Sequence, residues 1–197
     1  MASTISAGTS AGTAIAITGD TTGNLAFTTQ AGTYTQTLPN ATGTVMVSGN
    51  MPTFSAILGS NQTLSNQVWT KVQINTKEWD TANCFDATTN YRFTPTVAGY
   101  YSIVGIVRSN ATIGMYKVIT GIWKNGAEYA RPAEPCYFTT TMGNTVQFGG
   151  STLVYLNGST DYVELYAYIY GSGTLSVLND GNRAYNCSFQ GSLVRTA

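Results

Sequence analysis

Histidine is absent from the 197 residues, which removes His-based triads, His general bases and most zinc sites. Charge is scarce as well. Only 9% of the chain is Asp, Glu, Lys or Arg, against about 25% in an average soluble domain, and the formal net charge is zero. A surface so poor in Lys and Arg gives a phosphate backbone little to hold, which argues against nucleic acid as a partner. The same poverty argues against a membrane surface. No window approaches the roughly 18 apolar residues of a membrane span, and the N-terminus lacks the charged-then-apolar order of a signal peptide. The expectation is a protein made in a cytoplasm and not secreted by the general route. Cys84, Cys136 and Cys187 have no CxxC spacing and an odd count, so they read as small buried hydrophobes with room for one chance pair. No window carries a convincing amphipathic helical period.

What the chain does have is short strands and turns. Residues 1 to 50 hold a single charged side chain, Asp20, and short alternating pieces separated by Gly, Pro and Asn at a spacing of about 10 residues. This zone is too small and too Thr/Gly-rich to bury a core of its own. One reading is a disordered leader. The preferred one is a β-rich extended arm that docks through Ile15, Ile17, Leu25, Phe27, Tyr34, Leu38, Val45 and Val47, because these apolar positions alternate too regularly for a solvated linker. Ser48 to Pro52 reads as a hinge. From Thr53 to Ala197 about nine short strands recur between turn signals, the pattern of an all-β, antiparallel β-sandwich of jelly-roll type. Asn125-Gly126 is the strongest two-residue hairpin signal.

The stretch Phe85 to Val107 organises the rest. A polar turn leads to Tyr91-Arg92-Phe93, Pro95 and Gly99 punctuate a second turn, and Tyr100 to Val107 then carries large or branched side chains on both faces. A strand apolar on both sides must be covered on both sides. One face goes to the core, and the simplest cover for the other is a second copy of the chain.

Six segments occur in the order of the complement globular-head and tumour necrosis factor superfamily, and together they resemble it across residues 53 to 197. They are Phe54-Ser55-Ala56, Val68 to Val72, Phe93 to Tyr101, Trp123-Lys124-Asn125-Gly126, Gly149 to Leu156 and Cys187 to Leu193. The resemblance implies a knob of about ten strands assembling as a homotrimer. Asn157 to Tyr162 departs from it, since the family commonly has Gly-Asp there, which loosens the register at that point. The animal members carry collagen stalks, and no Gly-X-Y repeat exists here. Residues 1 to 50 instead resemble the leaders of tailed-bacteriophage virion proteins, in which jelly-roll heads also occur.

Within Tyr162 to Tyr170 the odd positions are Val, Leu, Ala and Ile, and the even ones Tyr, Glu, Tyr, Tyr and Tyr. This is a core face backed by a tyrosine ladder. The expectation places Tyr162, Tyr166, Tyr168 and Tyr170, with Tyr100 or Tyr101, at a three-fold axis. The competing readings are a solvated aromatic face that binds a ligand such as sugar, and burial of the tyrosine face in the core with the register inverted. Glu164, half-buried in the ladder, needs a partner, expected to be an Arg of a neighbouring strand or subunit. Glu78, Asp80 and Asp86 lack the spacing of a calcium loop and read as a solvated face. The Asn-x-Ser/Thr triplets at Asn61, Asn110, Asn157 and Asn186 read as turn chemistry.

No nucleophile–base pair can be assembled, so neither enzyme chemistry nor a cofactor or metal is expected. The expected function is structural: a trimeric decoration (cement) protein on the exterior of a phage virion, made in the host cytoplasm. Its arm would dock on the major capsid protein or another virion protein. The alternative is a short tail or head fibre whose knob binds a host glycan or receptor. Fifty extended residues reach at most about 165 Å, and no shaft repeat projects the knob, which favours cement.

Overall fold

A computed structural model describes residues 51–135, 137–138 and 145–197. The proposed docking residues Ile15, Ile17, Leu25, Phe27, Tyr34, Leu38, Val45 and Val47, and also Cys136, lie outside the described residues. Thirteen strands follow one another: β1 (Thr53–Ile57), β2 (Gln62–Leu64), β3 (Thr70–Lys71), β4 (Thr76–Asp80), β5 (Phe85–Asp86), β6 (Arg92–Phe93), β7 (Ala98–Ala111), β8 (Gly114–Lys124), β9 (Ala127–Ala133), β10 (Thr145–Asn157), β11 (Val163–Ser172), β12 (Leu175–Val177) and β13 (Ser188–Thr196). Among the described residues a 3-10 turn, Arg183–Tyr185, precedes the last.

They form two antiparallel sheets. The first runs β2-β12-β7-β13-β1-β4, with β10 paired along the other side of β7; the second runs β5-β6-β11-β8-β9, with β3 against β11. The sheets are antiparallel throughout and non-consecutive strands are neighbours, as in a jelly-roll sandwich. Between the sheets the odd residues of β7 and β11 interleave. Tyr101, Ile103 and Val107 face Val163, Leu165 and Ile169, all of them fully buried. An aromatic cluster closes one end, where the Phe54 ring stacks 4.4 Å from Phe93 and 4.9 Å from Phe85. Cys84 and Cys187 are free, buried thiols. Burial pushes the Cys187 thiol up to about 11, so it behaves as an apolar filler.

The strands that sequence pattern misses are β2, β4, β5 and β9. Two of these, β4 (Thr-Lys-Glu-Trp-Asp) and β9 (Ala-Glu-Tyr-Ala-Arg-Pro-Ala), lie at sheet edges and are mostly exposed. Charge and proline suit an edge, but they erase the apolar alternation by which a strand is recognised. Asn125 and Gly126 both adopt positive φ, 52° and 79°, and join β8 to β9 as a primed hairpin turn. At the departure noted above, Asn157 Oδ1 accepts from the amides of Ser159, Thr160 and Asp161. Asp161 in turn binds Lys124 and the Asn125 side chain, so this loop is locally self-fastened and β11 enters in a defined register. Of the Asn-x-Ser/Thr asparagines, Asn110 is a correction: it sits within β7, not in a turn.

β10 pairs only with β7 among the described residues. Along it, the Leu153 carbonyl accepts from the Tyr129 hydroxyl of β9 at 3.0 Å, and the Tyr155 carbonyl from the Lys124 ammonium at 2.8 Å. Side chains of the second sheet therefore tie down the outermost strand of the first.

Candidate assembly and recognition faces

The sandwich has two outer faces, and they differ in chemistry. On the first sheet, the even residues of β7 point outward. Tyr100 is 48% exposed and Val104 and Ile106 are half-buried. Register aligns Ser102 with Leu153 and Tyr100 with Tyr155 across to β10, and Val104 with Gln190 across to β13. Leu153 is 61% exposed, Tyr155 40%, and Val194, at the bulge of β13, 57%. The Tyr100 and Tyr155 rings lie 5.5 Å apart. A shallow hollow of about 110 Å³ lies beside them, lined by Trp79, Val104 and Ser192. From Tyr100 to Ile106 and across to Leu153 and Gln190 no residue is charged. Charge returns at the ends, with Arg195 opposite Tyr100 and Arg108 paired to Asp180 at 2.5 Å. An apolar, uncharged sheet face of this kind marks an association surface.

On the second sheet, the even residues of β11 point outward as the alternation requires: Tyr166, Tyr168 and Tyr170 are half-buried while Val163, Leu165, Ala167 and Ile169 are buried. The ladder is not bare, however. Trp123 of β8 stacks on Tyr166 at 4.0 Å and 14°. Trp69, from the loop before β3, leans on both Trp123 and Tyr168 at 6.2 and 5.6 Å. Tyr116 and Tyr137 flank Tyr170 at 5.2 and 5.7 Å. Tyr162, at the far end, lies under the Arg92 guanidinium at 4.2 Å. Burial pushes the Tyr166 hydroxyl above its ordinary pKa, with nearby Glu164 and Tyr162 adding to the shift.

The structure thus separates the six tyrosines expected at a three-fold axis. Tyr162, Tyr166, Tyr168 and Tyr170 share one face, Tyr100 lies on the opposite one, and Tyr101 lies on neither. Tyr101 is 0% exposed and its hydroxyl donates to the Val97 carbonyl at 2.7 Å. It belongs to the core of its own chain, because β7 alternates and Tyr100 takes the outward position. Glu164 also departs from expectation: its partner is Lys71 of β3, at 2.5 Å, not an arginine. Leu153, Tyr155 and Val194, which the structure leaves exposed, were not among the contact residues expected from the sequence. The signal was present in the alternation of Leu153-Val154-Tyr155-Leu156, but all four residues are apolar and either pair could face inward.

The acids near β4 and β5 act singly. Asp80 accepts from the amides of Cys84 and Phe85, and Glu78 pairs with Arg183 and Ser55. Asp86 accepts from the amides of Thr89 and Thr88, then from Asn90. Those donors hold its carboxyl well below the usual carboxylate range. Each carboxylate is occupied as a loop fastener.

No family model matches the chain, and no curated protein matches it. Among solved structures it is similar to murine APRIL at pH 5.0, with a TM-score of 0.53 and 9% identity over 73% of this chain and 99% of that one. It is also similar to the globular domain of zebrafish complement 1qA (TM-score 0.48, 17% identity, 74% and 99% covered). A third likeness is to the PRD1 vertex protein P5 (TM-score 0.49, 10% identity, 75% and 98% covered). The described residues have a jelly-roll fold, shared with the APRIL structure. Identities this low carry the fold and nothing further.

Proposed function

We propose that the protein is a non-enzymatic structural component of a phage particle, a homotrimeric knob carried on an N-terminal arm. The observation that carries the trimer is the uncharged outer face of β7, β10 and β13, where Tyr100, Leu153, Tyr155 and Val194 lie open on one sheet face. A second copy of the chain supplies the missing cover, as the two-sided β7 requires. On this reading Tyr100 remains an interface residue. Tyr162, Tyr166, Tyr168 and Tyr170 sit on the outward surface of the assembled knob.

The phage setting is supported by the resemblance of residues 1 to 50 to virion leaders and by their lack of charge. In the first role the arm docks on the major capsid protein through its alternating apolar residues, and the knob decorates the exterior of the shell. The second role, a short fibre that touches a host glycan, is favoured by one specific observation, the aromatic band on β8 and β11. The deciding experiment counts copies of this protein against the shell protein in purified particles. Hundreds of copies in fixed ratio to the shell and divisible by three establish decoration. A handful, in multiples of three, establishes a fibre. Absence from the particle overturns both.

A further inference from the structure

The outer face of β8 and β11 is built differently from the face assigned to assembly. Its rings come from four separate parts of the chain and pack against one another. Gly121 leaves the space that Trp69 fills, since a Cβ there would come 2.8 Å from the indole. Arg131 lies 5.4 Å from the Trp69 ring. It is held by Glu128 at 2.5 Å and Glu134 at 2.9 Å, and Glu134 also binds Lys117 at 2.7 Å. With Lys71 on Glu164, three cations balance three carboxylates beside Tyr166 to Tyr170; Arg92, at the far end over Tyr162, is a further cation outside these pairs. The indole Nε1 of Trp123 is buried and has no acceptor among the described residues.

Flat aromatic surface, fixed donors and acceptors, and zero net charge are complementary to a ligand that is apolar on one face, hydroxylated at its rim and uncharged. An ionic ligand would have to break existing pairs. A dry protein interface would have to cover a rim of ion pairs that are already satisfied by each other. Side chains on one face of β11 recur about every 7 Å, so the rings form a row along the strand. Trp69 and Tyr137, the latter 53% exposed, keep ring surface open to solvent.

We propose that this band binds a neutral oligosaccharide laid along β11, with Trp69, Tyr168, Tyr170 and Tyr137 stacking on its sugar rings. The site needs only an exposed knob, so it holds for a decoration protein as well as for a fibre, and its failure leaves the copy-number result untouched.

Two of the three tryptophans, Trp69 and Trp123, lie in the band, and Trp79 lies on the other sheet, so intrinsic fluorescence reports on the site directly. The full chain is titrated with maltohexaose, cellohexaose and chitohexaose as neutral probes, and with heparin as the anionic one. The expected result is a saturable change in emission with at least one neutral probe and none with heparin. Trp69→Ala should weaken binding by about tenfold, and Trp79→Ala should leave it unchanged. Tyr137→Ser, at an exposed ring, gives a second variant with little effect on folding and should weaken binding in the same direction. No response to any neutral probe, preference for heparin, or a Trp69→Ala variant whose change is in oligomeric state overturns the proposal. In the last case the band is an interface between copies.

Discussion

Leu153→Asp is the sharpest test of how the knob assembles. Leu153 is 61% exposed in the isolated chain, and complete burial of a leucine side chain contributes about 1.5–3 kcal/mol. Covering the remaining surface in a trimer therefore contributes about 1–2 kcal/mol per chain, or about 3–5 kcal/mol per trimer. Replacement by Asp removes that contribution and also brings three carboxylates together in an interface whose nearest cations, Lys124 and Arg195, lie at its ends. The association constant should fall by at least about two to four powers of ten, enough to give monomer at micromolar concentration. Sedimentation equilibrium measures this, with circular dichroism to confirm that the monomer keeps its strands. Val68→Asp, at an exposed residue on the side of the tyrosine band, is the control and should remain trimeric. If Tyr168→Asp dissociates the trimer and Leu153→Asp does not, the three-fold axis lies on the β11 face and the assignment made here is wrong.

The other predictions concern the single chain. Gly158 has φ +72°, and a Cβ on it would sit 2.3 Å from the Ala98 amide nitrogen; Gly181 has φ +70° with nothing within 4 Å. Gly158→Ala should therefore lower the melting temperature by several degrees more than Gly181→Ala, because only the first adds a backbone collision to about 1–3 kcal/mol of dihedral strain; equal losses would remove the collision from the account. Lys71→Met leaves Glu164 buried without its cation and should cost about 3 kcal/mol in urea unfolding, whereas the double variant with Glu164→Gln should recover most of it. With no histidine, stability should be flat from about pH 5 to 8. Backbone donors at Asp86 and the Asn125 side chain at Asp161 hold both carboxyls below their ordinary pKa. Their stabilisation is thus full above the unfolded value of about 4 and drains as pH falls toward the folded values. A melting temperature that falls between pH 8 and 6 would contradict this.

How much of this was legible in the sequence depended on whether the deciding contact was local. The period of two in β11 pointed to its buried side, because Val, Leu, Ala and Ile stand opposite Tyr and Glu, although Glu164 is buried as well. The Asn125-Gly126 turn was equally plain, since few dipeptides accept two positive φ angles. In Tyr100-Tyr101 two identical side chains point opposite ways, and only the pairing of β7 with β10 and β13 shows which is inside. The cover over the tyrosine ladder was out of reach for a related reason. Trp69 and Trp123 are 54 positions apart, and nothing local in either segment announces that they meet over Gly121. The edge strands β4 and β9 were hidden by the charges that keep them from pairing with anything further.

The fastening of β10 reaches beyond the single molecule. A strand with only one neighbour presents half its backbone groups to whatever comes near, another copy of itself included. Here a phenol and an ammonium from the adjoining sheet occupy the Leu153 and Tyr155 carbonyls, so an approaching strand finds those acceptors already taken. In the proposed trimer, copies then meet through side chains rather than by backbone zipping along β10, which would give an open-ended fibril.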